Sequence, residues 1–370
     1  MELDELPREW PTAPASDPAF LTAFLPLASA DHLPRLSVGD TPLLDVAELR
    51  SALDLPRLTV KDDTRNPSGS TKDRASLLVV AKAGEYDYGT VATASSGNAA
   101  TALAAVGAAA GMRTVVFVPA SAPEAKLVQM ISYGAEVFPV DGSYDDAFEL
   151  CLAACDEFGW YNRNTALNPF TIEGKKTAAL EIASALRPET PDAVIVPVGD
   201  GVILAGVAKG FADLVEAGLI ARSPRLIAVQ PERSAAIVQA LRDGRDGVTG
   251  VPEATSIADS LNVQMPRNAI LCLRRVRESG GAGVSVSDDA ILEAIPYLAS
   301  HTGVFAEPAA AATLAGLRVA LAEGLVDTNE SIVLLVTGNG LKDVPAANRA
   351  IHRPEPIPPD LDAVMARLAR

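Results

Sequence analysis

A regular alternation of β-branched segments and Ala/Leu-rich segments constrains the fold of this sequence more than any other feature. Thr90–Ala94 and Arg113–Pro119 are rich in Val and Thr, and residues 98–110 between them have the composition of a helix. The same order recurs between residues 192 and 242. Strands that alternate with helices predict parallel sheets covered by helices on their faces. We therefore expect an α/β fold with two interleaved lobes, each built on a mostly parallel sheet flanked by helices.

The same pattern suggests where the lobes begin and end. We place an N-terminal arm and part of a large lobe in residues 1–74, a smaller α/β lobe in residues 75–160, and the rest of the large lobe in residues 161–370. Residues 243–285 contain Asp-Gly pairs, Pro and Gly and show no clear periodicity. Ligands of such folds bind beyond the carboxyl ends of the strands, so the loops that follow strands are the candidate binding loops.

Composition argues against several classes of partner. With 47 Asp and Glu against 31 Lys and Arg, the formal net charge is -16, which repels nucleic acid and anionic membranes at long range. Three cysteines and three histidines are too few and too widely spaced for a disulfide framework or a metal site. The acidic N-terminal segment does not resemble a secretory signal, and no apolar run is long enough to span a membrane. We expect a cytoplasmic protein that binds neither nucleic acid nor membrane.

The segment Asn66–Arg74, Asn-Pro-Ser-Gly-Ser-Thr-Lys-Asp-Arg, stands between a predicted strand and a predicted helix. It places Lys72 at the start of the helix, preceded by small residues that allow a planar ligand to approach the backbone. A lysine held in this way can form a Schiff base with an aldehyde cofactor. The alternative is a solvated lysine beside an Asp/Arg pair that caps the first turn.

Three other strand-to-helix loops suggest ligand contacts. Ala94–Asn98 could hold a carboxylate on its backbone N–H groups, or could be a helix cap formed by Ser96 or Asn98. The glycine-rich loop that begins at Gly199 could hold one phosphate at a helix N-terminus. Thr337, after the last predicted strand, could place a hydroxyl near a ring nitrogen, or could be part of a simple turn. A lysine for an aldehyde, a phosphate loop, an amide and a hydroxyl together match pyridoxal phosphate.

On these motifs the chain resembles the fold-type II pyridoxal-phosphate enzymes of the tryptophan synthase β superfamily, and among them most of all the threonine synthases. Seven segments follow that family's order over nearly the whole chain. They are Gly39–Leu43, Asn66–Arg74, Ser95–Asn98, Asn168–Thr177, Pro197–Gly201, Phe305–Pro308 and Thr337–Asp343.

The resemblance implies a role for each loop. Lys72 would carry the cofactor and move the Cα proton, Asn98 would bind the cofactor's ring oxygen, and Thr337 its ring nitrogen. A hydroxyl at that nitrogen suits elimination and replacement better than transamination. The resemblance also implies a homodimer and an amino-acid substrate. It assigns the cofactor phosphate to Gly199, Asp200, Gly201, Val202, Ile203 and Leu204, and the substrate to Ser95, Ser96, Gly97, Thr171 and Lys176.

The sequence also departs from the family. Threonine synthases usually carry Arg where this chain has Thr171, and the resemblance assigns that Arg to the phosphate of the substrate. A hydroxyl cannot replace a bidentate guanidinium. The cofactor loop carries Asp200 where the family often has Asn. The missing positive charge could come from Lys61, Arg65, Lys175 or Lys176.

The leading functional hypothesis is a lyase that converts O-phospho-L-homoserine to L-threonine and phosphate by elimination and water addition. The alternative is β-elimination or β-replacement on serine, threonine or their O-phospho derivatives, and the altered loops raise the weight of this alternative. A third possibility is a binding protein that keeps the fold without catalysis, against which the retention of Lys72, Asn98 and Thr337 argues.

Overall fold

The computed structural model describes residues 6–122 and 124–369. It contains two separate sheets with helices packed against them, and the predicted α/β architecture is confirmed. In these residues the strands are β1 (Leu43–Asp45), β2 (Leu58–Asp62), β3 (Thr90–Ala94), β4 (Arg113–Pro119), β5 (Glu136–Val140), β6 (Tyr161–Asn162), β7 (Ala193–Pro197), β8 (Arg225–Pro231), β9 (Ala282–Val286) and β10 (Ile332–Val336).

The helices range from six to fifteen residues. In the described residues they are α1 (Pro18–Phe24), α2 (Ala47–Leu53), α3 (Lys72–Glu85), α4 (Asn98–Ala109), α5 (Glu124–Ser132), α6 (Tyr144–Phe158), α7 (Phe170–Lys175), α8 (Thr177–Leu186), α9 (Val202–Glu216), α10 (Ala236–Arg242), α11 (Ala269–Glu278), α12 (Asp288–Thr302), α13 (Pro308–Ala322), α14 (Val344–Arg349) and α15 (Leu361–Leu368). No helix in the described residues combines the length and the apolar character that a membrane crossing requires.

The larger sheet has the strand order β1-β2-β10-β7-β8-β9, and every pair except β1 with β2 is parallel. Its central strands are apolar at every position because both faces are covered. Ala193 and Ile195 belong to the hydrophobic core on one face, whereas Val194 and Val196 belong to the core on the other. The strand order brings β2, from the first fifth of the chain, beside β10, so loops distant in sequence meet at one edge.

The smaller sheet has the order β5-β4-β3-β6, with all pairs parallel. Its last strand, Tyr161–Asn162, lies just after the position where we placed the end of the smaller lobe. The exact lobe boundaries remain a prediction.

The region that showed no periodicity, residues 243–285, contains α11 and β9. We missed β9 because its flanking glycines resemble a turn. Gly281 is required by close packing instead, since a Cβ atom there would lie 2.0 Å from the carbonyl oxygen of Leu226. The helical segment that begins at Phe170 is divided into α7 and α8 at Lys176.

Candidate active site

The loop that carries Lys72 is anchored to the interior by Arg74, in the first turn of α3. Arg74 is buried, and its guanidinium donates two hydrogen bonds to Asp63, at 2.8 Å from Nε and 2.7 Å from Nη2. Nη2 also lies 2.8 Å from Oε2 of Glu181. These charge-assisted bonds fix the start of α3, and Lys72 with it.

The same loop is bonded to the segment after β10. The Thr71 N–H donates to the Thr337 carbonyl oxygen at 2.8 Å, and the Asn339 N–H donates to the Gly69 carbonyl oxygen at 2.9 Å. The parallel pairing of β2 with β10 produces this contact, because it brings the carboxyl ends of both strands to one edge. The structure thus places Lys72 beside Thr337, as the cofactor hypothesis requires.

A cavity opens at this edge of the larger sheet. It is lined by the segments that follow β7 and β10 of the larger sheet, and by side chains that follow β3 and β6 of the smaller sheet. The lining residues are Thr71, Lys72, Asn98, Thr165, Pro197, Val198, Gly199, Asp200, Gly201, Val202, Ile203, Ser260, Leu261, Glu307, Ala309 and Thr337. Lys72 lines the cavity, which favours the cofactor hypothesis over an ordinary solvated lysine.

The environment of Lys72 favours a neutral amine. Burial is the largest cause, and the Arg163 guanidinium adds to it, so that the pKa of Lys72 is lowered to about 8. The carboxylates of Asp200 and Glu307 act in the opposite direction. A neutral amine near pH 8 can attack an aldehyde and accept a proton.

The glycine-rich loop after β7 leads directly into α9. Gly201 has a φ of +90° and precedes the first turn of α9, whose N-terminus has no side-chain cap. A Cβ atom at Gly201 would lie 2.7 Å from Cys272, so only glycine fits. Uncapped N–H groups at a helix N-terminus form an anion site. Gly199 to Ile203 line the cavity, whereas the Leu204 side chain packs in the hydrophobic core.

The turn between β3 and α4 leads to Asn98, which lines the cavity. Ser95, Ser96 and Gly97 are half-buried, and Asn98 begins α4. The Asn98 amide donates to both carboxylate oxygens of Glu307, at 2.8 and 3.0 Å. Its Oδ1 atom is buried and has no hydrogen-bond partner among the described residues. Asn98 is thus held in place with one polar atom left unbonded.

None of the five residues that we assigned to the substrate is among the lining residues of this cavity, and two of them are engaged in other contacts. The Thr171 hydroxyl is buried and donates to the Asn168 carbonyl oxygen at 2.8 Å. The ammonium of Lys176 forms ion pairs of 2.8 Å with Glu173 and with Asp213. Neither side chain is placed to bind a substrate at the cavity.

Two further candidates for the missing positive charge, Lys61 and Arg65, are not available to bind a substrate at the cavity. Lys61 is buried and pairs with Glu181 at 2.6 Å, and it also donates to the Thr41 carbonyl oxygen. Arg65 is exposed. Lys175 is the one sequence candidate that is both buried and close enough to Lys72 for their charges to interact.

Sequence reasoning missed three residues at or near the cavity. Glu307 stood in a recognised motif but received no role, and Thr165 and Arg163 were not considered. No local signal identifies Arg163, because only the packing of β6 beside β3 brings it here.

Comparison with known proteins gives a consistent result. Residues 34–338 match the family described as pyridoxal-phosphate dependent enzyme. The chain belongs to this family. The threonine synthase of Methanocaldococcus jannaschii is 36% identical over 342 residues, covering 92% of this chain and 84% of that protein. The threonine synthase of Halalkalibacterium halodurans is 36% identical over 347 residues, covering 92% and 94%.

Solved structures of other enzymes have the same fold as this pyridoxal-phosphate dependent enzyme. The processed form of threonine deaminase isoform 2 from Solanum lycopersicum superposes with a TM-score of 0.73, at 22% identity, over 85% of this chain and 87% of that one. Maize serine racemase gives a TM-score of 0.71 at 23% identity, over 90% and 92%. The predicted cofactor, pyridoxal phosphate, is confirmed by the family match.

Proposed function

We propose that this enzyme is a lyase of the threonine synthase type, which converts O-phospho-L-homoserine to L-threonine and phosphate. The observation that carries the proposal is the 36% identity to threonine synthases over 92% of the chain. Solved structures of the same fold include enzymes with other reactions, so the fold alone does not select this one.

The cavity fits pyridoxal phosphate, on three observations. Lys72 is a depressed-pKa amine at the wall, Asn98 has a buried unbonded oxygen, and the N-terminus of α9 is open to an anion. We assign the covalent link to Lys72, the ring oxygen to Asn98, the ring nitrogen to Thr337 and the phosphate to the loop of Gly199–Leu204. When bound, the cofactor supplies an electron sink for negative charge at the substrate Cα.

Lys72 is the group that we expect to move protons. A pKa of about 8 lets the amine accept the Cα proton near neutral pH and return it later in the reaction. The bonds of Thr71 to Thr337 and of Arg74 to Asp63 limit the positions that Lys72 can occupy. The chain's own contribution is therefore a positioned base of suitable pKa.

The substrate carboxylate is assigned to the turn of Ser95, Ser96 and Gly97. Lys126 supports this assignment, because its Nζ lies 3.9 Å from the position that a Cβ atom on Gly97 would occupy. Lys126 also pairs with Asp259 at 2.8 Å. A cation beside this turn favours a carboxylate there.

One observation favours β-elimination or β-replacement on serine, threonine or their O-phospho derivatives as a second candidate. Thr171 stands where the resemblance expects an arginine for the substrate phosphate, and its hydroxyl is already bonded to Asn168. A smaller or uncharged substrate would not need that arginine.

We also infer a homodimer in the cytoplasm. Both expectations come from the resemblance and from the composition. Size-exclusion chromatography with light scattering tests the dimer directly.

A substrate panel separates the two functions. Purified holoenzyme would be incubated with O-phosphohomoserine, phosphothreonine, phosphoserine, threonine and serine, while phosphate, keto acid and threonine are measured. The proposal expects phosphate and threonine in equal amounts from O-phosphohomoserine, and neither product with Lys72→Ala. Keto acid from another substrate, with no phosphate released from O-phosphohomoserine, would establish the second candidate instead.

A further inference from the structure

Two cations near the active site are buried without a counter-charge bonded to them in the described residues. Arg163 is fully buried, and its Nε and Nη2 atoms have no hydrogen-bond partner there. Lys175 is 1% exposed, and its Nζ atom also has none. Burial of an unpaired charge is strongly unfavourable, so these two side chains require an explanation beyond packing.

Arg163 is connected to the cavity through Thr165. It follows β6, and its N–H donates to the Ala92 carbonyl oxygen in β3 at 2.8 Å. Its Nη1 donates to the hydroxyl of Thr165 at 2.7 Å, and Thr165 lines the cavity. The arginine is therefore attached to the smaller sheet, on the side that we assign to the substrate.

Lys175 approaches the same region from the larger lobe. It ends α7, and its side chain lies against α9, where a Cβ atom at Gly206 would be 2.7 Å from the Lys175 Cβ. Lys72 and Arg163 are close enough for their charges to lower its pKa, and Asp200 is close enough to raise it.

The charges around the two cations do not neutralise them. Burial, with repulsion from Lys72 and Arg163, holds the pKa of Lys175 well below its usual range despite Asp200. Burial lowers the pKa of Arg163 to about 10, although Tyr144 and Asp73 act in the opposite direction. An anion between the two side chains would supply the missing charge and the missing hydrogen-bond acceptors.

The cofactor phosphate is the less suitable source of this anion. It already has the Gly199–Ile203 loop and the N-terminus of α9 on the larger sheet. Arg163, in contrast, is fixed to the smaller sheet beside the substrate turn. The Thr165 contact connects Arg163 to the side of the cavity that we assign to the substrate, and Lys175 lies against α9.

We propose that Arg163 and Lys175 form the receptor for the distal anionic group of the substrate, a phosphate ester. The pair takes the place of an arginine at position 171, where Thr171 is bonded to Asn168. This inference rests on the proposed function for the identity of the substrate. The receptor itself can be tested without turnover.

The first experiment measures sulfate binding to the holoenzyme by isothermal titration calorimetry at pH 8, where sulfate itself does not take up a proton. We expect Lys175→Gln to weaken binding about 10- to 100-fold, the range for loss of a charge-assisted hydrogen bond. Arg65→Gln removes an exposed cation and serves as the control with unchanged affinity. Sulfate should also be displaced by O-phosphohomoserine.

The same titration can also measure whether protons are taken up when sulfate binds. Because the pKa of Lys175 is depressed until an anion binds, sulfate binding should take up protons at pH 8. Repeating the titration in buffers of different ionisation enthalpy measures this uptake. Lys175→Gln should abolish it, whereas a lysine with only a structural role would leave it unchanged.

The kinetic test compares substrates with and without the phosphate. Lys175→Gln and Arg163→Gln should each lower kcat/KM for O-phosphohomoserine about 10- to 100-fold, mainly through KM, and should change any turnover of threonine or serine less than threefold. The visible absorbance of the bound cofactor should stay the same. If Arg163→Gln does not fold, the kinetic comparison of substrates with Lys175→Gln is sufficient to test the proposal.

Three outcomes would overturn the proposal. Wild-type holoenzyme could fail to bind sulfate at any concentration up to about 50 mM. Lys175→Gln could lose the cofactor while sulfate affinity is kept, which would assign the cation to the cofactor phosphate. Equal losses for phosphorylated and unphosphorylated substrates would indicate a structural role.

A further outcome separates this proposal from the proposed function. If wild type binds sulfate but does not turn over O-phosphohomoserine, the proposed function fails, while the anion receptor is retained.

Discussion

Two clusters of buried cations lie near Lys72, and they differ in how their charges are balanced. Lys61 and Arg74 face Asp63 and Glu181, with separations of 2.6 to 2.8 Å. Arg163 and Lys175 have no carboxylate bonded to them in the described residues. We call these the balanced cluster, of Lys61, Arg74, Asp63 and Glu181, and the open pair, of Arg163 and Lys175.

The pKa values move in opposite directions in the two clusters. Asp63 and Glu181 raise the pKa of Arg74 well above its usual value, although burial alone would lower it. Burial and neighbouring cations lower the pKa of Lys175. The comparison teaches that burial does not by itself mark a charge as structural. The balanced cluster holds the loop in place, whereas the open pair is completed only by a ligand.

The largest expected effect comes from Lys72 itself. Lys72→Ala should lower kcat by about 10⁴-fold or more, because it removes both the link to the cofactor and the base. Absorbance of the purified protein should lose the visible band of the bound cofactor, while circular dichroism stays unchanged. An active, yellow Lys72→Ala protein would contradict the assignment of Lys72.

Breaking the balanced cluster should cost stability. Arg74→Met leaves Asp63 and Glu181 buried without their main partner, and removal of one side of a buried pair typically costs about 3–5 kcal/mol. Urea denaturation followed by circular dichroism measures this loss. A loss below about 1 kcal/mol would show that Lys61 alone can balance the two carboxylates.

The same kind of substitution in the open pair should increase the free energy of unfolding, whereas in the balanced cluster it decreases it. Lys175→Met removes a buried amine to which the described residues offer no hydrogen-bond partner, so the ligand-free protein should become more stable by about 1–3 kcal/mol. The same urea denaturation, carried out without phosphate or sulfate, measures the change. Destabilisation similar to that of Arg74→Met would remove the distinction between the two clusters.

The smallest expected effect is a pH dependence. In the cofactor-free protein, the pKa of Lys72 is about 8, against an ordinary value of 10.5 in the unfolded chain. Between these values the unfolded chain holds a proton that the folded chain has released, so stability rises with pH. From pH 8 to pH 9, wild type should gain about 1 kcal/mol relative to Lys72→Met. Parallel stability curves for the two proteins would contradict the depressed pKa.

Much of the fold and part of the site followed from the sequence. A continuous apolar run, such as Ala193–Pro197, is typical of a parallel strand that is buried on both faces. These runs predicted the parallel sheets. The loops around Lys72, Asn98, Gly199 and Thr337 were identifiable because each follows a predicted strand. Their convergence depended on strand order, which the sequence suggests only through family resemblance.

The partners of the buried charges were not predictable. Arg74 and Glu181 are separated by 107 positions along the chain, and nothing local distinguishes Lys176, which is paired, from Lys175, which is not. Charge pairing depends on which helices pack together. Packing engages Lys176 in ion pairs, and its neighbour Lys175 becomes the stronger candidate for contact with a ligand.

The position of β10 also has a consequence for biosynthesis. Until residue 336 has left the ribosome, β2 and β7 have no strand between them, and the larger sheet has two unpaired edges. Thr337, which anchors the Lys72 loop, is made at the same late stage. A nascent chain can therefore complete the smaller sheet long before it can hold a cofactor, and during that interval its exposed strand edges are the surface that chaperones need to shield.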